Sequence, residues 1–102
     1  MTEQLYTHGR WVVKAGQEER FQAAWRELAE WTNANISGAI GGEAKLLQDL
    51  DDPTLFYSIG PWQSLEAIQA WRADAGFQAR VGAVRELLES FEPHTLRLVV
   101  QR

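Results

Sequence analysis

Along residues 5–14 the side chains alternate, with Tyr6, His8, Arg10 and Val12 on one side and Leu5, Thr7, Trp11 and Val13 on the other. A period of two predicts a strand. Both sides carry large groups, so both faces of the sheet that this strand joins need cover. The period then changes. Phe21, Ala24, Trp25, Leu28 and Thr32 recur at helical spacing, with Ala29 and Trp31 widening the stripe. Gly16 is expected to start that helix, and Glu18 and Glu19 place negative charge in its first turn, where the helix dipole favours it. Residues 33–42 read as a loop by composition. Residues 44–50 and 54–60 read as strands joined by the turn Asp51-Asp52-Pro53, a connection short enough for a hairpin.

Pro61 is expected to end the third strand. Ser64 can cap a helix, Glu66 sits in its first turn, and Leu65, Ile68 and Trp71 share one face. Gly76 should break that pattern. A further helix is expected over residues 77–91, with Phe77, Val81, Val84, Leu88 and Phe91 as its stripe and Pro93 as its stop, and residues 95–101 should form the last strand. The order strand, helix, strand, strand, helices, strand predicts an α+β, ferredoxin-like split βαβ fold. Its four antiparallel strands would carry helices on one face. Helices cover only that face. The other would still expose Leu5, Trp11 and Val13, or Tyr6 and Val12, so a second copy of the chain is the expected cover and a homodimer the expected state. Within residues 61–77, two tryptophans, a glycine and a phenylalanine make an aromatic wall that is either core or the side of a pocket.

Composition narrows the chemistry. The 102 residues suit one domain, residues 1–102, and 45% hydrophobic with 24% charged residues fits a globular chain. Absence of cysteine excludes disulfides, thiolate nucleophiles and zinc–sulfur sites. A net charge of −4 lacks the basic footprint that nucleic acid needs. No apolar run is long enough to span a membrane, and the first residues lack the basic-then-apolar order of a signal peptide, so the expected location is the cytoplasm. For the same reason the acceptor pattern Asn35-Ile36-Ser37 is set aside. The glycines near residue 40 have the wrong spacing for a nucleotide loop, and Asp49, Asp51 and Asp52 belong to a turn. No Ser-His-Asp order or metal-ligand cluster stands out. Five tryptophans are many for this length, so some belong at an interface or a pocket.

Three segments carry a resemblance: Lys14-Ala15-Gly16-Gln17-Glu18-Glu19-Arg20-Phe21, Gln48-Asp49-Leu50-Asp51-Asp52-Pro53, and Trp62-Gln63-Ser64-Leu65-Glu66-Ala67 with Trp71 and Phe77. With them the chain resembles the antibiotic biosynthesis monooxygenase family over nearly its whole length. The resemblance implies the dimeric α/β barrel, a homodimer with facing sheets and a pocket between sheet and helices in each subunit. Characterised members oxidise phenols or hydroquinones with dioxygen and use no metal and no flavin, so no cofactor is expected. Trp71 matches a pocket tryptophan of several members. Ala15 stands where proline is frequent, and Ala67 where some members carry asparagine. A haem-degrading branch resembles the segment from Trp71 to Phe77, but its ligating histidine falls at Val81 and its strand-one asparagine at Gly9, which argues against haem chemistry by that route.

The expected activity is therefore a cofactor-independent monooxygenase acting on a small aromatic or quinol-like substrate; the alternative is a non-catalytic binding or assembly protein of the same fold. His8, a residue type suited to taking up and releasing a proton, is the candidate base, and Trp71 is the second catalytic candidate. Tyr57, Trp25, Trp31, Arg72 and Phe77 are the candidate substrate contacts. Each also has a plainer reading: packing for the aromatic residues, a solvated charge for Arg72.

Overall fold

A four-stranded antiparallel sheet in the order β2-β3-β1-β4 carries three helices, the arrangement expected from the element order. This computed structural model describes residues 3–40 and 43–102. Strand β1 (Leu5–Val13) leads into α1 (Glu18–Asn35). Strands β2 (Lys45–Gln48) and β3 (Leu55–Trp62) pair next, followed by α2 (Leu65–Ala73) and α3 (Ala75–Arg85). Strand β4 (Leu88–Arg97) closes the sheet beside β1. Gly41 and Gly42 of the expected loop lie outside the described residues. Among the described residues, no helix is long and apolar enough to cross a membrane.

Local chemistry explains most boundaries. Gly16 has φ +88°, a left-handed turn that glycine adopts without a Cβ clash, and its N–H donates to the Glu18 carboxylate at 3.0 Å. The Ser64 hydroxyl accepts from the Ala67 N–H at 3.1 Å and caps α2. Asp74 caps α3 by accepting from the N–H groups of Gly76 and Phe77, so the break between helices falls at Asp74 rather than at Gly76. Gly76 lies inside α3, where the Trp31 ring packs on it: an added Cβ would sit 2.6 Å from that ring.

The end of the chain differs from expectation. Helix α3 stops at Arg85, and Leu88 and Phe91 belong to β4. Their spacing of three mimics a helix because the ladder shifts register between Val12 and Val13. Leu88 faces Val13, Phe91 faces Trp11, and the extra residue puts both on the core side. Pro93 sits within β4 instead of stopping a helix, and Pro61 sits within β3 instead of ending a strand. The Pro61 carbonyl accepts from the Ile40 N–H, so its ring nitrogen also faces away from β1, beyond the end of β2. The same register turns the nitrogen of Pro93 toward the free edge of β4, and neither proline removes a ladder bond.

Alternation assigns the faces. Trp11 and Val13 of β1, Phe56 and Trp62 of β3 and Leu88 of β4 are buried beneath the helices. Phe21 and Leu28 of α1, Ile68 of α2 and Phe77, Val81 and Val84 of α3 complete the buried set. Leu65, expected on the inner stripe of α2, is exposed in its first turn. Tyr6, His8, Arg10 and Val12 take the opposite face, with Tyr57 and Ile59 of β3 beside them in the ladder. Leu47 and Leu96, on the same face, are 54% and 40% exposed.

Candidate functional site

Between the sheet and the three helices lies a cavity of about 470 Å³. Its floor comes from β1 and β3 and includes Gly9, over which Trp11, Ser58 and Phe91 pack closely, and Gly60, over which Ala44 packs. Its wall is aromatic. Trp62 of β3, Trp71 of α2 and Phe77 of α3 meet in sequence, with ring centroids 4.9 Å apart for Trp62–Trp71 and 4.2 Å for Trp71–Phe77. Such tilted contacts suit the ring quadrupoles and hold a half-buried Trp71 in one orientation. The wall is therefore core on its outer side and cavity lining on its inner side. Trp25 and Leu28 of α1 close the space from above.

Three polar pairs are set into this apolar lining. The Trp71 Nε1–H donates to Thr32 Oγ1 at 3.2 Å, the Trp62 Nε1–H to Thr7 Oγ1 at 3.0 Å, and the Trp11 Nε1–H to Ser58 Oγ at 2.9 Å. All six residues border the cavity. Thr32, 8% exposed, is the one buried polar residue among those described.

Charge enters at the border. Arg72 donates to Thr95 Oγ1 at 2.7 Å and to the His94 carbonyl at 3.2 Å, which ties α2 to β4. Burial lowers the pKa of its guanidinium, yet arginine stays protonated at any physiological pH. Among the described residues no carboxylate forms an ion pair with it. A cation with unused N–H groups thus borders an apolar space, an arrangement that favours an anionic ligand oxygen.

Of the residues singled out from sequence, Trp71, Trp25, Phe77 and Arg72 come together around the cavity. Trp31 does not line it; the Arg80 guanidinium lies over its ring at 4.3 Å. Tyr57 is on the uncovered face, 5.8 Å from the His8 ring. His8 borders the cavity through its place in β1, but strand alternation turns its imidazole to the uncovered face, 6.2 Å from His94. The structure does not bring the candidate base and Trp71 to one point. Val81, at the position of the haem-ligating histidine, is a buried core residue without a donor atom. Among the described residues, no group of three or more His, Asp or Glu side chains is placed to hold a metal. Sequence reasoning missed the three hydroxyls as site groups. Thr32 did carry a signal, as a polar residue on an apolar stripe, whereas Thr7 and Ser58 acquire tryptophan partners only through the sheet register.

The fold and this cavity define a ferredoxin-like chain built around an aromatic-walled pocket. The antibiotic biosynthesis monooxygenase profile matches residues 5–83, and the chain belongs to that family. No curated protein matches it in sequence. Among solved structures, it is similar to SnoaB, a cofactor-independent oxygenase from Streptomyces nogalater. That match has 21% identity and a TM-score of 0.84, covering 98% of this chain and 96% of SnoaB. It is also similar to protein SO0527 from Shewanella oneidensis, at 22% identity, TM-score 0.82, and 99% and 96% coverage of the two chains. A conserved protein from Methanosarcina mazei Go1 follows at 16% identity and TM-score 0.80, with 94% and 93% covered. These likenesses establish the shared fold.

Proposed function

We propose that this chain is a cofactor-independent monooxygenase that uses dioxygen to oxidise a small, flat aromatic or quinol-like substrate held in the cavity beside Trp71. The observation that carries the reading is the open cavity itself, with an aromatic wall and the unpaired Arg72 cation at its border. Family membership supports the oxygenase class. For a phenol the balanced reaction is phenol plus dioxygen to quinone plus water. The ring supplies all the electrons. One oxygen atom bonds to the ring carbon, and the other leaves as water with the phenolic proton and the displaced ring hydrogen. Deprotonation makes the ring electron-rich enough to reduce dioxygen, so the protein must bind the ring and favour its anion. Trp62, Trp71 and Phe77 supply the first requirement. Arg72 supplies the second, because a cation beside the phenol lowers its pKa and eases release of the proton to water at the cavity mouth. His8 is not given the base role, since its imidazole lies across the sheet.

The same reading includes a homodimer with the uncovered sheet face as its interface. That face exposes Leu47 and Leu96, and Val99 and Val100 beyond β4 are 80% and 77% exposed. Apolar area of this kind is stabilised by a second copy.

Oxygen uptake with 1-naphthol and a set of hydroquinones, in chelator-treated buffer without added metal or flavin, tests the activity. Uptake above the buffer control is expected. Arg72→Gln should move the rise of rate with pH upward by about one unit, because the phenolate loses its cation. His8→Ala should leave the rate within about twofold, a change worth less than a typical hydrogen bond. Uptake no faster than buffer across the whole set would overturn the oxygenase reading in favour of a binding module.

A further inference from the structure

The three indole–hydroxyl pairs share a feature that packing alone does not require. A hydroxyl has one donor and two acceptor sites. In each pair the oxygen accepts from a tryptophan N–H, yet among the described residues none of the three hydroxyls donates to any protein acceptor. All three border the cavity, and Thr32 does so from a position more than nine-tenths buried. A helical threonine commonly returns its proton to the carbonyl one turn back. Thr32 makes no such bond here, and the Trp71 indole fixes its oxygen at the aromatic wall. Accepting one hydrogen bond polarises a hydroxyl and makes it a stronger donor.

We propose that the Thr32 hydroxyl, held by Trp71, is a specificity-determining group that donates a hydrogen bond to an oxygen atom of the bound ring. Ser58 and Thr7 offer the same kind of donor from the sheet side. The ligand class follows: a flat aromatic ring carrying carbonyl or hydroxyl oxygen at its edge, rather than a bare hydrocarbon. A hydrocarbon that displaces water from the cavity leaves the Thr32 proton unpaired, whereas a ketone or phenol oxygen pairs it. The inference deepens the reading of the cavity as an aromatic-ligand site and rests on it.

The test compares 1-tetralone with tetralin, which share a two-ring frame and differ in one carbonyl, by calorimetric titration of the intact protein. Thr32→Val alone would free the Trp71 N–H to replace the lost donor, so the decisive comparison is made in a Trp71→Phe background. Trp71→Phe alone removes the N–H that fixes and polarises the hydroxyl, so it should reduce the preference for tetralone without abolishing it. Adding Thr32→Val, which replaces a hydroxyl by a methyl of similar shape, should weaken tetralone binding about 3- to 10-fold and leave tetralin binding unchanged. Thr32→Ser in the same background should retain the preference. If Thr32→Val weakens both compounds equally or neither, the hydroxyl is not the recognition group, and the proposal falls while the cavity reading stands. If the unmodified protein binds neither compound, the cavity reading and this inference fall together.

Discussion

Two glycine-to-alanine changes should move stability in opposite directions, although the chemical edit is the same. At Gly9, in the middle of β1, an added Cβ would lie 2.7 Å from Trp11 Nε1, 2.8 Å from Ser58 Oγ and 3.0 Å from the Phe91 ring. These neighbours cannot simply step aside. Trp11 stacks on Phe91 at 4.0 Å and meets Phe21 at 5.3 Å, and its N–H donates to Ser58. Overpacking of this kind costs about 1–3 kcal/mol, and part of it is the strained or broken Trp11–Ser58 bond. At Gly82, inside α3 and exposed, a Cβ meets nothing within 4 Å. Alanine there removes backbone freedom from the unfolded chain and should stabilise by about 0.5–1 kcal/mol. A domain of this size shifts by about 4–8 °C per kcal/mol. Gly9→Ala should therefore melt at least about 4 °C below the unmodified protein, and Gly82→Ala about 2–8 °C above it. Melting curves followed by far-ultraviolet circular dichroism, all at one protein concentration because any self-association would shift the midpoint, measure both. Equal midpoints for Gly9→Ala and the unmodified protein would refute the placement of Trp11, Ser58 and Phe91 over β1. A destabilised Gly82→Ala would refute the open environment of α3.

Light scattering at micromolar concentration should give twice the chain mass of 11.6 kDa, and a monomer mass there would remove the facing-sheet dimer. Titration with haem should produce no saturating Soret band, because the buried Val81 has no donor atom; a sharp stoichiometric spectrum would place a ligand elsewhere, with His8→Ala and His94→Ala identifying it.

The fold class was legible because it depends on periodicity and order. The alternation over β1, the stripe Phe21, Leu28, Thr32 and the Ser64 cap each express a local rule, and all three survive in the structure. The residues from Pro61 to Phe77 pointed to the aromatic wall, and the family resemblance pointed to Trp71 within it. Local rules failed where the deciding partner is distant in sequence. Leu88 and Phe91 keep helical spacing, but the shifted register opposite Val12 and Val13 makes them strand residues on one face. Pro61 and Pro93 look like stops until the ladder shows that their missing N–H groups face away from β1. His8 looked like a base because its residue type titrates at the right pH. Which face receives its imidazole depends on where the helices pack, and the helices chose the face of Trp11. The chain thus determines its elements and most of its apolar faces by short-range sterics and burial. The hydroxyl partners of Trp11, Trp62 and Trp71 lie 47, 55 and 39 residues away, and only the closed tertiary structure brings them to one cavity.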